Sequence, residues 1–355
     1  MTTPNFNLDY LNNLVQISDV KVGFNKKGPI YESQADIEQA KDYVKSYFVP
    51  LSNSQHAMKI DNKWIIKEDV EVKKAYFNRM HDDISKWYFK GYTNVRTVAY
   101  NVNKPELYDD KLNLCPCIKW VYDDSYNGSR SDGLNFILSY IKEVLCSDKL
   151  DCFEYTLKWL ANMVRGNKNN TCIYMKGPQG IGKSSLFQFL SNHVIGKDLC
   201  LETGSDPIRT KFNEILAGKL LVCIEELENF SRSEWESISS TLKRMITSNV
   251  ITLQNKCTKA YESDNINNYI LISNNDAIKD DDGRRYFILD LSISRIGDHE
   301  YFKQLYSHFN DQIGQEFYNF LHTVDLTNFN PQLFPITQSK LCLLYTSDAA
   351  DDTPC

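Results

Sequence analysis

Apolar residues at Leu134, Ile137, Leu138, Ile141, Val144 and Leu145 recur every three or four positions, which predicts one amphipathic helix preceded by Ser131-Asp132. Phe153, Leu157, Leu160, Ala161 and Val164 predict a second, with Asp151 placed to cap it. Both read as ordinary packed helices. Beyond them the pattern changes. Short apolar runs at 172–175, 220–224, 269–272 and 286–291 are separated by helical patterns, notably 183–193 and 233–247. The latter opens on Ser233-x-x-Glu236, the spacing of a capping box. Strands alternating with helices predict an α/β fold with a largely parallel sheet. Residues 1–130 are less regular. Helical stretches at 34–48 and 70–89 enclose short β-like runs such as 64–66, another follows at 95–100, and 122–131 reads as a linker. The expected organisation is a mixed, mainly helical N-terminal region over 1–130, of accessory or linker type, followed by an α/β domain over 131–330.

Composition adds limits. The chain has 355 residues, 42% hydrophobic and 24% charged, enough for about two domains with sizeable cores. Forty basic against 46 acidic residues leave a net charge of −6, so any nucleic-acid contact must come from a local patch. No apolar run reaches the ~18 residues of a membrane span. Residues 1–9 lack the basic start and apolar stretch of a secretory signal, so an intracellular location away from membranes is expected. The ten cysteines are scattered, and Cys115-Pro116-Cys117 has no second ligand pair at metal spacing. Such thiols suit a reducing compartment. Residues 342–352 resemble the translation of a transposon-type sequencing adapter, so 342–355 are set aside as a foreign tail.

The chemistry concentrates between residues 177 and 285. Gly177-Pro178-Gln179-Gly180-Ile181-Gly182-Lys183-Ser184 fits GxxxxGK[ST], with an apolar run before it and a helical pattern after it. Gly177, Gly180 and Gly182 let backbone N–H groups turn inward around phosphate oxygens, and the following helix aims its positive end at the same anion. Lys183 can reach the β- and γ-phosphates, Ser184 can ligate Mg²⁺, and Ser185 completes the cofactor-binding set. ATP with Mg²⁺ is therefore the expected cofactor. The run 220–224 ends in Glu225-Glu226, two carboxylates that are costly at a buried strand end without a partner. Glu225 is assigned to the metal shell and Glu226 to polarising the attacking water. Asn274 ends the run 269–272 and suits either a γ-phosphate sensor or a turn. Arg284 and Arg285 follow Asp280-Asp281-Asp282, and suit either local ion pairs or an arginine finger in a neighbouring subunit's site. Between these elements, 250–261 reads as a hairpin with Lys256 and Lys259 near its tip, placed to touch a DNA backbone. Tyr261 suits base stacking or, more simply, packing on a sheet.

In this order the motifs resemble those of superfamily 3 helicases, the replication helicases of viruses, phages and plasmids. The likeness is to the helicase domain of poxvirus-type primase-helicases and phage primase-polymerases. Lys211-Phe212-Asn213 and Ala217-Gly218-Lys219-Leu220-Leu221-Val222 before the acidic strand, Leu242-Lys243-Arg244-Met245-Ile246-Thr247 after it, and Arg284-Arg285-Tyr286 carry it, over about residues 130–300. The resemblance implies a P-loop NTPase of modified AAA+ type, a homohexameric ring, and 3′-to-5′ movement on single-stranded DNA. By the same resemblance Lys183 and Ser184 bind nucleotide and Mg²⁺, Glu226 activates water, and Asn274 is the sensor. Lys256 and Lys259 face the central pore, and Arg284 or Arg285 is the finger. Residues 1–130 carry no paired-aspartate primase motif with a downstream His, so a primase or polymerase partner is a further expectation. The function expected is an ATP-dependent replicative DNA helicase of a virus, phage or mobile element. The alternatives are a ring ATPase acting on RNA or protein, and a nucleotide-dependent DNA-binding assembly module.

Overall fold

A computed structural model describes residue 7 and residues 34–52, 54–61, 63–80, 82–92, 95–225, 231–256, 260–274, 277–278 and 283–349. The chain divides into two compact units: Met1–Ala99 with Lys104–Leu114, and Tyr100–Asn103 with Cys115–Cys355.

In the first unit the helix Gln34–Tyr47 leads into β1 (Phe48–Pro50), β2 (Gln55–Ile60) and β3 (Lys63–Glu68), an antiparallel sheet in the order β1-β2-β3. The helix expected over 70–89 is broken into Asp69–Ala75, a single turn Phe77–Arg79, and Asp82–Lys86 with a wider turn to Gly91. Its buried positions are Val72, Phe77, Met80, Ile84 and Tyr88. The step of five from Val72 to Phe77 overshoots one helical turn, and Met80 lies in extended conformation, with ψ 164°. β4 (Thr97–Ala99), β5 (Leu107–Tyr108) and β6 (Lys111–Asn113) make a second small sheet, β4-β6-β5. The described part of this unit is mixed, with helices and helical turns the larger share and two small sheets beside them. Its core is aromatic, with Phe77 stacked on Tyr88 at 4.5 Å.

The second unit is built on β7 (Cys172–Lys176), β8 (Cys200–Thr203), β9 (Leu221–Ile224), β10 (Val250–Leu253), β11 (Tyr261–Asp264), β12 (Asn268–Ser273) and β13 (Tyr286–Asp290). Five of these form one sheet in the order β13-β7-β12-β9-β8, every neighbouring pair parallel. Successive side chains go to opposite faces. Ile173, Met175, Ile270, Ile272, Phe287 and Leu289 join one core, with the helices 132–145, Leu150–Val164 and Asp311–Thr323. Tyr174, Val222, Ile224, Leu271 and Ile288 join the other, against the helix Arg232–Thr247. Burial on both faces is why these strands read as unbroken apolar runs. β8 adds a strand that no apolar run marks, because Cys200-Leu201-Glu202-Thr203 lies at the sheet edge, only partly buried.

Caps refine the helix starts. Ser131 caps the helix Asp132–Tyr140, its Oγ accepting from the Leu134 N–H at 3.1 Å. The helix Leu150–Val164 begins one residue before Asp151, which therefore sits in its first turn rather than at the cap. The capping box of Arg232–Thr247 is Ser231 with Glu234, not Ser233 with Glu236. Both pairs have the right spacing, and the reciprocal bonds decide: the Ser231 N–H donates to the Glu234 carboxylate and the Glu234 N–H to the Ser231 hydroxyl.

At the N-terminal edge of the sheet, asparagines tie elements together. Asn268 Oδ1 accepts from the Asn169 backbone at 2.9 Å, and Asn267 Nδ2 donates to the carbonyls of Leu216 and Lys219. Asn265 Nδ2 donates to the carbonyls of Met245 and Ser248, and its backbone N–H to Asn249. Lys168 Nζ joins them, donating to the carbonyls of Met245 at 2.9 Å and Asn267 at 3.0 Å. This belt roots the antiparallel hairpin β10–β11 at the base of the sheet. A helix, Gln338–Ala349, closes the described chain, its first N–H groups capped by the Asp290 carboxylate and its Lys340 donating to the Tyr286 carbonyl. None of the described helices is long and apolar enough to cross a membrane.

Candidate functional site: the glycine-rich loop

β7 ends at Lys176 and the loop begins, with the Gly177 N–H bonded to the Ser273 carbonyl of β12 at 3.2 Å. Gly180 and Gly182 take φ of +78° and +92°, the left-handed region that glycine enters without cost. At Gly182 space is also closed: a Cβ there would meet the Phe302 ring at 2.7 Å. Tyr140 fixes the same residue by donating its hydroxyl to the Gly182 carbonyl at 2.7 Å. The helix then starts at Lys183 and continues through a wide turn to Ile195.

The side chains that follow fan out. Lys183 is only 7% exposed. Its ammonium donates to the carbonyls of Gly177 and Pro178, and to Asn274 Oδ1 at 2.8 Å. Burial pushes the Lys183 pKa below the ordinary lysine value, opposed by the nearby Glu225 carboxylate. Ser184 Oγ donates to Glu225 Oε1 at 2.5 Å. Ser185 Oγ lies 2.9 Å from the Tyr306 hydroxyl, on the helix His299–Ser307. Glu225 follows β9, and its N–H bonds the Thr203 carbonyl of β8 at 2.9 Å. Glu202, on β8 beside it, has its carboxyl pushed up, first by burial and then by the Glu225 charge. The loop, Glu225, Asn274 and Tyr306 line one cavity of about 290 Å³.

This cavity sits at the C-terminal ends of β7, β9 and β12. Such a position is favoured in an open parallel sheet, because chain connections diverge to either side there and leave a crevice. Lys183, Ser184, Glu225 and Asn274 are therefore brought together, as are Gly177, Gly180, Gly182 and Ser185. Glu226, Lys259 and the three aspartates 280–282 lie outside the described residues. Arg284 and Arg285 precede β13 at the opposite edge of the sheet, with the Arg285 carbonyl bonded to the Cys172 N–H. A five-residue strand, about 16 Å, separates that edge from the loop, so neither arginine joins the loop of its own chain. Lys256 is exposed just beyond β10, at the start of the hairpin turn. Tyr261 is half-buried, its hydroxyl 3.4 Å from Glu214, and burial raises its phenol pKa: it packs within the unit. Tyr140, Phe302, Tyr306 and Glu202 carried no motif; only the tertiary fold brings them to the loop.

Two oxygens 2.5 Å apart, the Ser184 hydroxyl and the Glu225 carboxylate, are hard donors that suit Mg²⁺, which takes few protein ligands and fills its shell with water and phosphate oxygens. Among the described residues no group of three or more His, Cys, Asp or Glu converges as a metal centre.

Residues 175–285 match the profile of a protein family of unknown function, DUF5906. No curated protein matches the chain. Solved structures share the fold. The apo A form of the C-terminal region of NrS-1 aligns with a TM-score of 0.64 at 16% identity, over 86% of this chain and 74% of that one. The apo structure of NrS-1 residues 305–718 aligns with a TM-score of 0.64 at 17% identity, over 86% and 73%.

Proposed function

We propose that the second unit hydrolyses Mg²⁺-bound ATP at the glycine-rich loop, as a P-loop NTPase of the superfamily 3 kind, and drives a replicative DNA helicase along single-stranded DNA in the 3′-to-5′ direction. One observation carries this reading. Lys183 and Ser184, consecutive on one helix, meet Asn274 and Glu225, each just past the end of a different strand, within hydrogen-bond distance.

The residues divide the work. Inward N–H groups of residues 180–185 hold the phosphate chain. Lys183 exchanges its carbonyl contacts for β- and γ-phosphate oxygens, which releases Asn274 to orient water beside the γ-phosphate. Ser184 and Glu225 hold the metal, and Glu226, next along the chain, polarises the water. Mg²⁺ held there would supply charge neutralisation to the phosphates. Arg284 or Arg285, far from its own loop, serves as the finger of a neighbouring subunit in a homohexameric ring. Lys256 and Lys259 grip the DNA backbone without reading sequence. A primase or polymerase partner within an intracellular replication complex completes the reading.

Steady-state ATP hydrolysis by the full chain, with and without single-stranded DNA, tests it. DNA should stimulate turnover, and Lys183→Ala and Glu226→Gln should each abolish it. Full turnover in Lys183→Ala would overturn the ATPase assignment. Stimulation by RNA alone, or indifference to DNA, would overturn the helicase assignment and leave the ATPase.

A further inference from the structure

Resting on that reading of the loop, we propose that Tyr306 is the shelf on which the base of the nucleotide stacks, and that it selects purines over pyrimidines.

The loop has two sides. Ser184 and Ser185 are adjacent on the helix, so their side chains diverge by about 100° around its axis. Ser184 turns to Glu225, and Ser185 turns to Tyr306. The first direction, shared with Lys183 and Asn274, holds the groups that act on a terminal phosphate. A phosphate chain laid through the loop with its reacting end there leaves its base end on the Ser185 side. On that side stands an aromatic wall. Phe302 and Tyr306 are one turn apart on the helix His299–Ser307, and Phe302 is the ring that abuts Gly182. Tyr306 is 45% exposed although it lines the cavity, and its back is packed edge-on against Phe309 at 5.2 Å.

An exposed aromatic ring supported from behind and tethered through its hydroxyl presents a held flat face, which a flat partner can cover. A base is such a partner, and stacking is tolerant of which base edge it meets. Gln188, three positions after Ser185, lines the same cavity. Its amide both donates and accepts, so it suits adenine and guanine alike. The larger ring area then makes a purine bind better than a pyrimidine.

The experiment compares the full chain with Tyr306→Ala and Tyr306→Phe, each with ATP, CTP and inorganic tripolyphosphate in Mg²⁺, by calorimetry. Tripolyphosphate offers the loop a phosphate chain without a base. Tyr306→Ala should weaken ATP about tenfold and tripolyphosphate less than twofold, and should erase the preference for ATP over CTP. Tyr306→Phe, which keeps the ring, should recover ATP affinity and the preference. Equal losses for ATP and tripolyphosphate in Tyr306→Ala, or no loss for either, would overturn the shelf while leaving the phosphate loop in place. A wild-type chain that binds neither ligand would overturn the loop reading and the shelf with it.

Discussion

Lys183 and Asn274, 91 positions apart in the chain, share a hydrogen bond of 2.8 Å. The bond joins the glycine-rich loop to the tip of β12, so the two groups to which the proposed function gives phosphate binding and water orientation are held side by side. Asn274→Ala should lower kcat for ATP hydrolysis by about 10²-fold, the cost of losing one preorganised polar group, with little change in KM. Rapid-quench kinetics separate the two. An unchanged kcat would remove Asn274 from the chemistry.

Gly180 and Gly182 have similar positive φ but different surroundings. Alanine at Gly180 meets nothing within 4 Å and costs only its left-handed backbone, about 1–2 kcal/mol. Alanine at Gly182 adds a collision with the Phe302 ring at 2.7 Å. Thermal melts should therefore rank Gly182→Ala below Gly180→Ala, and a reversed order would contradict the packing of Phe302 on the loop.

Lys168 points its ammonium at two carbonyls, and desolvation pushes its pKa down to about 7. Lys340 is pushed down to about 8 for the same reason. Folded, these groups release their protons at lower pH than unfolded lysines, which hold them up to about 10.5. Between those limits the unfolded state binds more protons, so stability rises with pH. Urea unfolding at a series of pH values from 7 to 10 should show this slope, and Lys168→Met should flatten it. An identical slope in the variant would show that Lys168 keeps an ordinary pKa.

Lys256 at the hairpin turn should contribute to a phosphate backbone contact. Lys256→Ala should weaken single-stranded DNA uniformly across sequences and reduce the slope of log affinity against log salt by about 0.7. A variant with the wild-type slope would place the DNA path elsewhere.

The residues of the loop were legible because backbone chemistry dictates them: glycines where φ must be positive, then Lys183 and Ser184. The strands β7, β9, β12 and β13 were legible because burial on both faces gives each an apolar run. β8 is an edge strand as β13 is, but it escaped because its faces are only partly buried, which lets Glu202 and Thr203 replace that signal. The start of the helix Arg232–Thr247 was displaced by two residues because two Ser-x-x-Glu spacings overlap and spacing alone does not choose between them. Tyr140, Phe302 and Tyr306 were invisible as site residues. Their spacing records helix packing, and which helix comes to rest beside the loop is a property of the whole fold.

β12 has Asn274 just past one end, and Asn268, which holds Asn169, at the other. It is six residues long and paired on both sides, so it behaves as a strut about 20 Å in length, stiff along its axis. Its pairing permits sliding only in whole steps that would turn every side chain to the opposite core. A pull on Asn274 is thus borne by the foundation from which the hairpin rises, rather than being spent in the strand between.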